Sequence, residues 1–200
     1  YVREKHKAEA PKVGGKITIG IPSFNHAKYL KDSVGSVLAQ TYQDFEILIL
    51  NDGGTDNFTD VVQTFTDPRI KVMAFPENMG VWEAQNQMAF RATGEFYVPF
   101  SADDTIEPNF IEKCLAKFAE NPWLEMVATQ TDFMKADKSD FNTPDNPMMK
   151  IPRIRNFQTR EEMLLDLHSG NLYFGIGMYR TKAVSDVGGW EKQYKVLGDY

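Results

Sequence analysis

Along residues 16–133, short runs of β-branched and aromatic residues alternate with stretches of helical period, and each run breaks off into a polar cluster. The runs are residues 16–21 (KITIGI), 45–50 (FEILIL), 70–75 (IKVMAF) and 95–100 (EFYVPF), with a further one over 126–133. Between them, residues 27–40 place Leu30, Val34, Val37 and Leu38 on one helical face, and 57–65 and 81–92 also read as helices. Residues 109–120 carry Phe110, Ile111, Cys114, Leu115 and Phe118 on one face, with Pro108 suited to a first turn. Apolar strands joined by helix-length crossovers predict an α/β fold: a mostly parallel sheet with helices on both faces.

Beyond residue 135 the alternation weakens. Residues 135–158 mix prolines with charges and read as a long surface excursion, after which Thr159-Arg160-Glu161-Glu162 has the spacing of a capping box and opens a helix through Leu167. A strand over 173–179 and a short helix over 181–187 follow, ending at Gly188-Gly189. The charged tract at 1–15 reads as a tail or linker, and the chain stops at Tyr200 in what reads as the opening of a new element, so we expect a piece of a longer polypeptide.

Composition narrows the classes of function. A chain of 200 residues at 42% hydrophobic supports one substantial core. Its net charge of −6 argues against a broad nucleic-acid surface while leaving room for a single bound nucleotide. No apolar stretch approaches the ~20 residues of a membrane span, and no secretory signal is visible. The expectation is a soluble, cytoplasmic domain, with peripheral membrane association left open. Cys114 reads as a buried thiol, and His6, His26 and His168 lack metal-ligand spacing.

In an open parallel sheet, ligands bind beyond the carboxyl ends of the strands. Four polar clusters fall there: Pro22-Ser23-Phe24-Asn25, Asn51-Asp52-Gly53-Gly54, Pro76-Glu77-Asn78-Met79-Gly80 and Ser101-Ala102-Asp103-Asp104. Adjacent carboxylates such as Asp103 and Asp104 offer hard oxygen ligands to Mg²⁺ or Mn²⁺, commonly shared with a phosphate-bearing substrate. An Asp-Asp pair at a strand end also serves as a solvated turn and helix cap. The chain has no G-x-G-x-x-G after its first strand, no P-loop and no G-x-S-x-G, which sets aside dinucleotide folds, P-loop NTPases and serine hydrolases of that type.

Taken in order, P-S-F-N, S-x-x-x-Q-T-Y-x-D-F-E-I at 36–47, N-D-G-G-T-D, N-x-G and G-E-F-Y-V-P-F-S-A-D-D resemble the family 2 glycosyltransferases across residues 16–111. A looser match continues through Tyr179-Arg180, Gly188-Gly189-Trp190 and Gly198-Asp199-Tyr200. The resemblance implies a GT-A fold over 16–200, with a nucleotide-binding half at 16–111 and an acceptor-side half at 112–200. It also implies an inverting, metal-dependent transfer of a sugar from a nucleotide-diphosphate donor, a UDP-sugar foremost, to a hydroxyl acceptor in polysaccharide or glycoconjugate synthesis. Pro22, Phe24 and Asn25 would line the donor site, with Phe24 against the base. Asp52 would hydrogen-bond the base, and Asn78 and Gly80 would shape the adjoining loop. Asp103 would contact the ribose or share the cation, and Asp104 would bind the Mn²⁺ or Mg²⁺. Asp199 would be the general base, and Trp190 the floor of the acceptor sugar. Each has a plainer reading on the residues alone: a core phenylalanine, an Asx turn, a helix-terminal aspartate, a packed tryptophan.

The chain departs from the family pattern at Ser101, where a further aspartate is common, and at Asn51, Gly54, Gln85 and Gly198. Those departures keep open a non-catalytic binding module on the same fold. A nucleotidyltransferase is a weaker alternative, because the chain lacks the glycine-rich, arginine-containing loop after its first strand.

Overall fold

A computed structural model of the chain describes residues 14–129 and 176–190. The elements follow the alternation read from sequence: β1 (Ile17–Ser23), a 3-10 turn (Ala27–Tyr29) running into α1 (Leu30–Leu38), β2 (Phe45–Asp52), α2 (Phe58–Val62), β3 (Ile70–Phe75), α3 (Val81–Ala89), β4 (Phe96–Pro99), α4 (Phe110–Glu120), β5 (Met126–Ala128), β6 (Gly177–Arg180) and α5 (Thr181–Asp186). The capping box at 159–162 and the excursion at 135–158 lie outside the described residues.

The strands form one sheet in the order β3-β2-β1-β4-β6-β5. Strand β1 runs parallel to β2 and β4, and β2 parallel to β3, while β6 is antiparallel to β4. The sheet is therefore mostly parallel, as expected. Its chain order doubles back on either side of β1, the kind of switch point at which α/β sheets bind ligands. The chain divides into two compact units, residues 1–127 with 178–200, and residues 128–177. In the smaller unit the described hydrogen bonds run from the backbone N–H and hydroxyl of Thr129 to the carbonyl of Ile176.

Strand alternation sorts the core into two faces. Leu48, Leu50 and Tyr97 pack with Ala84, Met88 and Ala89 of α3 and Val184 of α5, flanked by Trp190. The opposite rows, with Ile17, Ile19, Ile21, Ile47, Ile49, Phe96 and Val98, are equally buried, and Phe118 of α4 lies on Phe96 with ring centroids 4.7 Å apart. Helix α4 realises the periodicity seen in the sequence: Phe110, Ile111, Cys114, Leu115 and Phe118 are all buried. Burial pushes the Cys114 thiol up to about 12, which makes it an inert core group.

Gly20 admits Tyr97 to this packing. A Cβ at position 20 would lie 2.0 Å from the Tyr97 hydroxyl oxygen, and the fully buried Tyr97 cannot swing into solvent. Gly20→Ala is expected to lower stability by about 1–3 kcal/mol through overpacking. A thermal melt checks this: the midpoint should fall by several degrees, and an unchanged midpoint would mean that the ring relocates freely.

Candidate donor-binding site at the carboxyl edge of the sheet

Because β1, β2, β3 and β4 are parallel, their four polar clusters leave the same edge of the sheet. The second cluster lies between the first and the third. Asn51 closes its own turn: its Oδ1 accepts from the Gly54 N–H at 2.8 Å, and its Nδ2 donates to the Gly54 carbonyl at 3.3 Å. Both bonds together need an amide, since a carboxylate has no proton to give. The substitution of asparagine for the aspartate of the family pattern is thus built into the turn.

From this turn two sets of bonds reach the first loop. The Thr55 N–H donates to Asn25 Oδ1 at 2.8 Å, and the Ala27 N–H donates to Asp56 Oδ2 at 2.8 Å. Asn25 takes a left-handed backbone, φ 57°, which asparagine tolerates well. Gly54 has no room for a side chain, since a Cβ there would lie 2.9 Å from the Asn25 nitrogen. Pro22 and Phe24 are half-buried at the end of β1, next to Asn25 of this clasp.

A second pair of bonds reaches the third loop. Asp52 is fully buried, and its carboxylate accepts from the Met79 N–H at 2.9 Å and from the Gly80 N–H at 3.0 Å. Asn78 Oδ1 also accepts from the Gly80 N–H, at 2.7 Å, so that amide is shared. Each Asp52 oxygen thus holds one amide of the third loop and keeps a second lone pair. Its carboxylate lies against the start of α3, where a helix dipole favours negative charge.

The acidic cluster is anchored from behind. The Phe100 N–H donates to the Gly20 carbonyl at 2.9 Å, which fixes where Ser101–Asp104 departs. Ala102 and Ile106 are buried, Asp103 is exposed and Asp104 is half-buried. The segment that follows is held by the end of α1. Ser36 Oγ accepts from the Ile106 N–H at 3.2 Å, and Gln40 Nε2 donates to the Glu107 carbonyl at 2.7 Å. Gln40 Oε1 accepts from the Ile111 N–H at 3.1 Å, and the Thr41 N–H donates to the Pro108 carbonyl at 2.8 Å. In the sequence, S-x-x-x-Q-T at 36–41 is a motif with no task evident from its own residues. Its signal was a buried-type glutamine at the end of an amphipathic helix, and its work is to fix the loop bearing Asp103 and Asp104.

Among the described residues, no group of three or more His, Cys, Asp or Glu side chains is placed to hold a metal ion. A Mg²⁺ or Mn²⁺ bound by one or two carboxylates plus substrate phosphates needs no such cage. The hard oxygen donors of Asp103 and Asp104, on an anchored loop at the ligand edge, suit that arrangement.

Gln85 is buried, accepts from the Tyr97 hydroxyl at 2.5 Å and donates to the Gly20 carbonyl at 3.4 Å. It therefore serves the core rather than the donor edge. Trp190 is half-buried, its ring stacked with Trp82 at 6.3 Å and edge-on to Tyr179 at 5.7 Å. The Asn86 side-chain amide pairs with the Trp190 backbone through bonds of 2.7 and 2.8 Å, tying the Gly188-Gly189 turn to α3. Asp199 lies outside the described residues.

Comparison with known proteins agrees with this geometry. The family described as "Glycosyl transferase family 2" matches residues 18–188. The chain is 35% identical over 141 residues to a chondroitin synthase and to a hyaluronan synthase of Pasteurella multocida, a match covering 68% of this chain and 14% of each relative. It therefore spans about a seventh of the length of those relatives. Among solved structures, S. aureus TarS residues 1–349 superposes with a TM-score of 0.68 at 21% identity, over 92% of this chain and 52% of that one. The mannosyltransferase PcManGT of Pyrobaculum calidifontis, in complex with GDP-Man and Mn²⁺, gives a TM-score of 0.65 at 16% identity, over 93% and 50%. At those identities the structural likeness establishes the GT-A fold.

Proposed function

The chain belongs to glycosyl transferase family 2, and we propose that it transfers a sugar, with inversion, from a nucleotide-diphosphate donor to a hydroxyl acceptor. The donor is foremost a UDP-sugar, and the product a polysaccharide or glycoconjugate. One observation carries this reading: the four loops converge on the carboxyl edge of the sheet, and the acidic one leaves Asp103 exposed beside Asp104. The names of the relatives point the same way, since they are synthases of sugar polymers. TarS has also been solved in complex with UDP-GlcNAc.

In this reading residues 1–15 are a tail and residues 16–200 the transferase domain, with the donor half at 16–111 and the acceptor side at 112–200. Phe24 gives the base an aromatic face, a contact worth about 1–3 kcal/mol in comparable settings, and Pro22 and Asn25 set its height above the sheet. Asn78 and Gly80 shape the neighbouring wall. Asp104, with Asp103 sharing the ion or holding the ribose, would bind Mn²⁺ or Mg²⁺, which supplies charge neutralisation for the departing diphosphate. Asp199 takes the proton from the acceptor hydroxyl as it attacks, and the half-buried Trp190 offers its indole to the acceptor sugar. No helix among the described residues is long and apolar enough to cross a membrane.

Calorimetric titration with UDP, with and without Mn²⁺, tests the donor site. Wild type is expected to bind more tightly with the ion, and Asp104→Ala to lose that enhancement. Equal binding by both proteins in both conditions removes Asp104 from the site, and no binding by wild type in either removes the donor reading itself.

A further inference from the structure

The segment bearing Asp103 and Asp104 is held between a strand end and a helix end. At the strand end the Phe100 N–H donates to the Gly20 carbonyl at 2.9 Å. At the helix end much of the holding falls on one buried side chain, Gln40, 1% exposed. Its Nε2 donates to the Glu107 carbonyl at 2.7 Å and to the Ser36 carbonyl at 3.3 Å, and its Oε1 accepts from the Ile111 N–H at 3.1 Å. Both protons and the oxygen of the amide are therefore engaged. The Ile111 N–H lies in the first turn of α4, where an amide has no partner within the helix. The N-cap residue Asn109 makes no side-chain cap bond, so Gln40 supplies from the end of α1 the acceptor that a helix usually finds in its own cap. Ser36 Oγ accepts from the Ile106 N–H at 3.2 Å, and the Thr41 N–H and hydroxyl donate to the Pro108 carbonyl at 2.8 and 3.2 Å. The acidic loop thus re-enters the fold through a bracket at Ile106, Glu107, Pro108 and Ile111.

From this we propose that Gln40 is a positioning residue for the divalent cation: through the bracket it sets where Asp103 and Asp104 stand when the ion and the diphosphate arrive. The proposal rests on the donor reading given above. A cation held by one or two carboxylates plus substrate phosphates tolerates little error in the placing of those carboxylates. A loop released at one end spends only part of its time in the competent position, and apparent affinity falls by that fraction. The loop at Pro22–Asn25 is held by other bonds, from Thr55 to Asn25 and from Ala27 to Asp56. Loss of Gln40 therefore weakens the metal-dependent part of nucleotide binding and spares the rest. The role needs an amide of this length, since a glutamate would keep the acceptor and lose both protons.

The test is calorimetric titration with UDP, with and without Mn²⁺, of Gln40→Met, Ser36→Ala, Asp104→Ala and the double variant Gln40→Met with Asp104→Ala. Methionine fills much the same space without the polar groups. In Gln40→Met the Mn²⁺ enhancement of UDP affinity is expected to fall about two- to tenfold, the equilibrium worth of a hydrogen bond, and in Ser36→Ala by less. Metal-free UDP affinity should match wild type in both. Once Asp104 is gone, Gln40→Met should cost nothing further. Glu46→Gln, which loosens bonds at the opposite end of the sheet, controls for a general loss of stability and should keep the full enhancement below its melting temperature. Hydrogen exchange without nucleotide reads the bracket itself, and the Ile111 amide should quicken in Gln40→Met. Equal UDP binding by wild type with and without Mn²⁺ removes the metal reading, and the proposal with it. If wild type shows the enhancement, the proposal alone is overturned by any of three results in Gln40→Met: an enhancement kept in full, an equal loss with and without the ion, or unchanged exchange at Ile111. Should Gln40→Met fail to fold, Ser36→Ala decides by the same criteria, with the Ile106 amide as its reporter.

Discussion

Replacing Glu46 with alanine is expected to lower the stability of the folded chain by about 2–4 kcal/mol. Glu46 lies in β2, 2% exposed, within one of the most apolar strands of the molecule. Its Oε1 accepts from the Thr18 hydroxyl at 2.8 Å, the Thr93 N–H at 3.0 Å and the Thr93 hydroxyl at 2.7 Å. Its Oε2 takes Lys71 at 2.8 Å and Lys16 at 3.1 Å. One side chain thus ties β1, β2, β3 and the turn before β4 together, at the end of the sheet opposite the donor edge. Alanine would leave the Thr93 amide and two hydroxyls without their acceptor, and a cavity beside them. The lysines are partly exposed and can turn to water, so the loss is expected to reach at most the middle of the range of about 3–5 kcal/mol for a wholly buried pair.

The same residue sets a pH dependence. Burial raises the Glu46 pKa, but the Lys71 bond and the Thr93 and Thr18 bonds outweigh it and hold the carboxyl well below its ordinary 4.5. A depressed folded-state value means stability that is present in full above the unfolded pKa and is lost as pH falls below it. Urea unfolding at pH 7 and again near pH 4 should therefore show wild type weakening on acidification, and Glu46→Ala weakening less. Glu46→Gln keeps the volume and one acceptor, so it should fall between the two at pH 7. Equal acid sensitivity in wild type and Glu46→Ala would assign the acid loss to other carboxylates.

Asp199→Asn is expected to reduce sugar transfer by about 10²–10⁴-fold, the contribution of a positioned general base, while leaving UDP binding in Mn²⁺ unchanged. Asparagine keeps the size and hydrogen-bonding capacity of the side chain but cannot take a proton. The signature is a fall in kcat with the donor affinity preserved, opposite to that expected of Asp104→Ala. It is read as UDP release from whichever UDP-sugar wild type turns over. A wild-type rate in Asp199→Asn would pass the role to another carboxylate, and no turnover by wild type with intact UDP binding would favour a binding module on this fold.

How much of this was legible beforehand differs from one residue to the next. The apolar runs at 17–21, 47–50 and 96–98 read as buried strands, and helix-length crossovers favour parallel pairing, so the fold class and the edge where the proposed site lies followed from pattern. The face of α4 was equally plain. The backbone partners of Asp52 were not: strand alternation predicts which way a side chain points, but not what another loop, 27 residues later, will offer it. Gln85 reads in the sequence only as a departure from the family pattern; its bonds to Tyr97 and Gly20 in the core appear only in the tertiary packing. Gln40 and Ser36 looked like ordinary helix residues until Glu107, Ile106 and Ile111 arrived beside them.

What the amino-acid order determined by itself was local and periodic: strands, helices, their alternation, and a run of motifs sufficient to identify the family. What the tertiary structure alone decided was partnership. Asn25 with Thr55, Asp52 with Met79 and Gly80, and Glu46 with Thr18, Lys71 and Thr93 are pairs separated by 25 to 47 residues. Their bonds form only after loops of that length have closed, so neither the spacing nor the polarity of any one segment encodes them.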